Sequence, residues 1–201
     1  MPLASYSEDQ RDCLQEICNV AMGQAGDIIA RKLGVFVNLS IPLIRIVDAQ
    51  TLPENLENFD PNSGIHAASQ LFANQGENED KLSGLALVML SEQSLPELKQ
   101  LMPADLSEDT VILETCRNMA QTCLDALSSQ WQLGFQCQPP DIVGNDSLKA
   151  VCESFTTQWQ QVLTVEINYH LEGRDFNGDL VLLFPDTAID AMAKVLDELL
   201  A

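Results

Sequence analysis

The chain has 201 residues, enough for one large domain or two small ones, and its 46% apolar and 20% charged content is that of a globular protein. Its charge is one-sided: 30 Asp and Glu against 10 Lys and Arg leave a net −20, and Arg31-Lys32 is the one adjacent basic pair. Phosphate backbones and anionic lipid are held by clustered basic side chains, so nucleic-acid and membrane-surface binding are excluded.

In chain order, Ser7-Glu8-Asp9 is a helix-start signal, and helical apolar spacing continues to Leu33, with Gly34 as the stop. Residues 35–47 are β-branched and apolar around Pro42, which predicts an edge or interrupted strand. The acidic stretch 51–64 reads as a loop. Residues 65–73 and 82–90 read as two strands joined by a polar turn, and 95–101 as a short helix ended by Pro103. The plan then restarts. Leu106-Ser107-Glu108-Asp109 repeats Tyr6-Ser7-Glu8-Asp9, and a second long helix runs to Trp131. A strand at 135–143 around Pro139-Pro140, a short helix at 147–155, a hairpin of 162–171 with 180–184, and a closing helix at 187–200 follow.

The segment from Gly84 to Glu92 echoes that from Gly178 to Asp186, and each leads into a helix. The chain therefore reads as one domain of two pseudo-repeats, about 1–103 and 104–201. Strands in hairpins point to an α+β fold of antiparallel sheet packed with two long helices and shorter ones; one sheet or two is left open.

On a helical wheel the first long helix buries Cys13, Leu14, Ile17, Cys18, Ala21, Ala25, Ile28 and Ile29. Its opposite stripe is Asp12, Glu16, Asn19, Gly23, Gly26 and Ala30. A merely solvated stripe favours strong helix formers, whereas this one sets a carboxylate and a carboxamide above two glycines, each costing about 1 kcal/mol against alanine. The glycines allow close approach, either of another molecule or of a neighbouring part of the same chain. The second long helix buries Leu113, Cys116, Met119, Ala120, Cys123, Leu124, Leu127 and Trp131 and presents Glu114, Asn118, Thr122, Asp125 and Ser129.

The spacing Asp12-xxx-Glu16-xx-Asn19, then twenty-two residues, then Pro42 resembles the signature of the CheC/CheX/FliY family of chemotaxis phosphatases, and the length resembles CheC-like members. Four fixed positions recur by chance in roughly one chain in a thousand of this size. The resemblance spans nearly the whole chain and implies a CheC-like tandem duplication. It implies a phosphatase that hydrolyses the aspartyl-phosphate of a CheY-type response regulator. Glu16 would meet the regulator's active-site lysine, and Asn19 would orient the attacking water. Asp12, Gly23, Gly26 and Pro42 would support them. No cofactor of its own is implied, since Mg²⁺ sits in the partner regulator.

The second half departs from the signature, because Glu114 and Asn118 are four apart, so a degenerate second site is expected there. Aligning Asn118 with Asn19 puts Thr115 at the place of Glu16 and leaves Pro140 one residue early. The alternative reading is a non-catalytic adaptor that binds a CheD-type deamidase or a response regulator. A monomer is expected over a homodimer.

Six cysteines without CxxC spacing, four of them within helical patterns, read as reduced buried thiols. With only His66 and His170, no metal site is expected. The first residues lack a signal-peptide pattern and no apolar run spans a bilayer, so the chain is expected to be cytoplasmic.

Overall fold

The structure, a computed structural model, describes residues 6–52, 65–75, 82–143 and 159–201. The expected loop at 51–64 falls mostly outside them, and the expected helix at 147–155 and Cys152 fall wholly outside.

Helix α1 (Glu8–Leu33) begins with a capping box. The Ser7 hydroxyl accepts from Gln10 N at 3.1 Å, and the Gln10 side chain accepts from Ser7 N at 2.8 Å. Gly34 ends it in the left-handed conformation, φ 67°, donating its N–H to Ala30 O. The other helices are α2 (Ser94–Leu101), α3 (Glu108–Trp131) and α4 (Asp186–Leu200); of these α3 starts as α1 does, the Ser107 hydroxyl accepting from Thr110 N, while α2 and α4 have no side-chain cap. Gln10 also donates to Asp197, and the Tyr6 hydroxyl to Ile189 O, so the start of α1 is tied to α4.

The strands are β1 (Val37–Leu39), β2 (Leu43–Asp48), β3 (His66–Asn74), β4 (Ser83–Leu90), β5 (Phe135–Cys137), β6 (Asp141–Val143), β7 (Gln161–Leu171) and β8 (Asn177–Pro185). They form one antiparallel sheet in the order β1-β7-β8-β4-β3-β5, with β2 also on β7 and β6 also on β3. The open question of one sheet or two is thus answered. The stretch 35–47 is an interrupted edge strand, as its proline predicts.

Central strands β4 and β8 are apolar almost continuously because both of their faces are covered. On one face Ala86, Val88, Leu90, Leu180, Leu182 and Phe184 pack beneath α1, α3 and α4. On the other, Leu85, Leu87, Val181 and Leu183 join Ala49, Leu52 and Val143. No helix among the described residues is long and apolar enough to cross a membrane.

The five described cysteines are free thiols. Burial pushes Cys18, Cys116 and Cys123 up to about 12, Cys123 despite a 2.9 Å hydrogen bond with the Tyr169 hydroxyl. These thiols ionise first in the unfolded chain. The stability they contribute is present below the ordinary thiol value of 9.0 and is lost as the pH rises above it. Iodoacetamide at roughly pH 8 should spare all three in the folded chain and label them in urea, as read by peptide mass spectrometry. Equal labelling in both states would contradict this burial.

Candidate functional site

Because α1 lies with Leu14, Cys18, Ala21, Met22, Ala25 and Ile29 against the sheet, its opposite face projects Asp12, Glu16, Asn19 and Gly23 outward. Two members of the expected pattern sit differently. Ile28, expected to be buried, is 41% exposed because it lies at the margin of the apolar arc. Gly26, expected on the open stripe, is buried: a Cβ there would stand 2.8 Å from Leu39 Cδ1, whereas one on Gly23 meets nothing. The close approach at Gly26 is therefore made by β1 of the same chain, and only Gly23 leaves bare backbone for another molecule. Replacing Gly23 with Ala should stabilise the fold by about 0.5–1 kcal/mol. Gly26→Ala should fall clearly below Gly23→Ala in urea unfolding, because Leu39 must give way; equal midpoints would contradict the packing at Gly26.

The residue that links the helix to Pro42 is Gln15, which the sequence reading did not single out. Its Nε2 donates to the Pro42 carbonyl at 3.1 Å and to Asn19 Oδ1 at 3.3 Å. The signal was available: Gln and Asn four apart on a helix are within hydrogen-bonding reach. Pro42 is itself buried at a β-bulge. Leu39 pairs with Tyr169 and Leu43 with Glu166, so residues 40–42 face only 167 and 168. Ser40 N donates to Asn168 O and Asn168 N to Ser40 Oγ, both at 3.0 Å, which clamps the bulge. The intervening Ile41 is 80% exposed beside the site.

Glu16, Asn19 and Asp12 are all exposed, and neither carboxylate forms an ion pair among the described residues. The stripe carries no His, Lys or Cys. Among the described residues no group of three or more His, Cys, Asp or Glu is placed to hold a metal ion. What the arrangement offers is a held carboxamide beside a free carboxylate, suited to positioning a small polar molecule and meeting a cation.

The second half repeats the architecture with other side chains. Leu14, Cys18, Met22, Ala25 and Ile29 are buried as are Ile112, Cys116, Ala120, Cys123 and Leu127, each 98 positions on. Pro42 and Pro140 stand 98 apart too, both buried in equivalent bulges, so Pro140 is in register after all. The caps Ser7 and Ser107 are 100 apart only because α3 is two residues shorter than α1. In this register Glu114 matches Glu16, Arg117 matches Asn19 and Leu113 matches Gln15.

The expected alignment of Asn118 with Asn19 is corrected accordingly. Asn118 matches Val20, about 100° around the helix, and accepts from Lys32 Nζ at 3.0 Å. Thr115, placed by that alignment opposite Glu16, is buried and bonded to Val111 O, and Thr122, expected outward, is buried as well. Glu114 is paired with Arg117.

No protein-family model matches the sequence, and no curated protein does. Solved structures do match in fold. FliY of Thermotoga maritima superposes with a TM-score of 0.67 at 17% identity, covering 97% of this chain and 99% of that one. The FliM middle domain of H. pylori gives 0.63 at 10% identity over 94% and 99% of the two chains. The FliM middle domain of Vibrio alginolyticus gives 0.62 at 9% identity over 91% and 99%. The chain therefore has the α+β fold that FliY and the FliM middle domain share.

Proposed function

We propose that the chain is a protein phosphatase that accelerates hydrolysis of the aspartyl-phosphate of a CheY-type response regulator in chemotaxis signalling. The observation that carries this reading is the exposed Glu16–Asn19 pair on α1, with the Asn19 carboxamide held from behind on a FliY-like fold. An acyl phosphate is already activated, and Mg²⁺ in the regulator offsets the charge of the phosphoryl group. What remains is to place water in line.

Asn19 Oδ1 accepts a hydrogen of that water, which turns an oxygen lone pair toward phosphorus. The water oxygen bonds to phosphorus and the phosphorus–aspartyl oxygen bond breaks. The electron pair leaves on the regulator's carboxylate, and the water proton passes to phosphate or solvent. Glu16, which has no ion-pair partner among the described residues, meets the lysine of the regulator's pocket. No general base with a shifted pKa is needed, which fits a stripe of carboxylates and carboxamide. Site two lacks this equipment, because Arg117 stands in the place of Asn19 and holds Glu114.

A second reading has one observation in its favour. The FliM middle domain has the same fold, and solved structures describe it in a FliG–FliM and a FliM–SpeE complex. In that reading the chain is an adaptor for a response regulator or a CheD-type deamidase, and the α1 pair is a docking element only.

Phosphate release from a phosphorylated CheY-type regulator separates the two. Wild type should accelerate it, and Asn19→Ala should remove about a hundredfold of that acceleration. Glu114→Ala with Asn118→Ala should leave it unchanged. Binding of the regulator without acceleration would favour the adaptor and sink the phosphatase reading.

A further inference from the structure

The oxygen and nitrogen of a carboxamide are nearly equal in size, so its neighbours decide which end faces a reaction. Here the decision can be followed from the backbone outward. A peptide carbonyl only accepts, so the Gln15 atom 3.1 Å from Pro42 O is its NH₂. The second hydrogen of that NH₂ is directed at the Asn19 atom 3.3 Å away, which is therefore its oxygen. Pro42 is a firm anchor, with its φ set by the ring and its bulge clamped by the Ser40–Asn168 pair.

We infer that Gln15 is a positioning residue of the α1 site, coupling the Pro42 carbonyl to Asn19 and fixing which end of the Asn19 carboxamide meets the attacking water. The inference rests on the phosphatase reading and deepens it. With one Oδ1 lone pair taken by Gln15, a single lone pair remains to accept from water, and Nδ2 is turned away from Gln15, free to donate to a phosphoryl oxygen. A flip of the carboxamide would set two NH₂ groups against each other. The second half offers an internal comparison: where Arg117 replaces Asn19, Leu113 replaces Gln15, although the Pro140 bulge is retained.

The test uses Gln15→Leu, since leucine is the residue native to the matching place in α3. With phosphorylated regulator as substrate, kcat should fall about tenfold, the worth of one hydrogen bond, with KM unchanged. In ¹⁵N–¹H spectra of the free protein, the Asn19 side-chain NH₂ pair should shift and its two protons move toward equivalence. A thermal midpoint near that of wild type shows the fold is kept. Should Gln15→Leu unfold, the isosteric Gln15→Glu, whose carboxylate only accepts and so favours the flipped Asn19 carboxamide, should lower kcat at least as far and shift the Asn19 amide pair.

A kcat within twofold of wild type, or an unmoved Asn19 amide pair, overturns the inference. A wild type without phosphate release overturns the phosphatase reading instead, and the Asn19 resonances then decide the positioning alone.

Discussion

The antiparallel pairing of β4 with β8 is the constraint on which the rest of the molecule depends. Leu87 pairs with Val181, Leu85 with Leu183 and Met89 with Asp179. The echoed segments Gly84–Glu92 and Gly178–Asp186 are offset by 94 positions, as are Leu87 and Val181, so corresponding residues meet at the centre of the sheet. The two halves are thereby related by a local twofold between Leu87 and Val181. Everything outward repeats. β3 and β7 flank the centre, each carries a bulged two-piece edge strand, and each half lays a long helix over the same face. A sheet built this way has no seam between halves, and its central strands are buried on both faces.

Such symmetry supplies two helix faces, each backed by a buried proline at a bulge, and the side chains then divide them. On α1 the bulge carbonyl is read by Gln15, which holds Asn19, and Glu16 has no ion pair among the described residues. On α3 the matching positions are Leu113 and Arg117, and Glu114 is tied to Arg117. Both partners of that ion pair are substantially exposed, so it adds little to stability. Its consequence is chemical: the pair occupies the carboxylate, and Arg117 itself stands where α1 has a carboxamide. One scaffold thus carries two faces that differ in their side chains.

Local signals made most of the fold legible in the sequence. Ser7, Gly34 and Ser107 mark helix ends through backbone hydrogen bonds that involve only near neighbours. The strands followed from short apolar and β-branched runs bounded by polar segments, and the β3–β4 and β7–β8 hairpins from proximity in the chain. The β4–β8 register was not legible, since residues 94 apart meet there and nothing local specifies it. The same kind of ambiguity misplaced the second site: the recurrence of a Glu and an Asn suggested Asn118, whereas the buried faces of α1 and α3 align Arg117 with Asn19. Gly26 and Ile28 differed because a wheel shows direction and not what lies there; Leu39 fills the space beside Gly26. Gln15 was overlooked because its partner is a backbone carbonyl 27 residues away.

In the proposed function, a carboxamide fixed from a bulge carbonyl, beside a glutamate with no ion pair among the described residues, is what separates the α1 face from the α3 face. Transplantation tests this most directly: phosphate release from a phosphorylated CheY-type regulator by a chain carrying Asn19→Ala with Leu113→Gln and Arg117→Asn. Release should be restored to within about tenfold of wild type, now from α3. A folded triple variant that stays at the level of Asn19→Ala alone would contradict it.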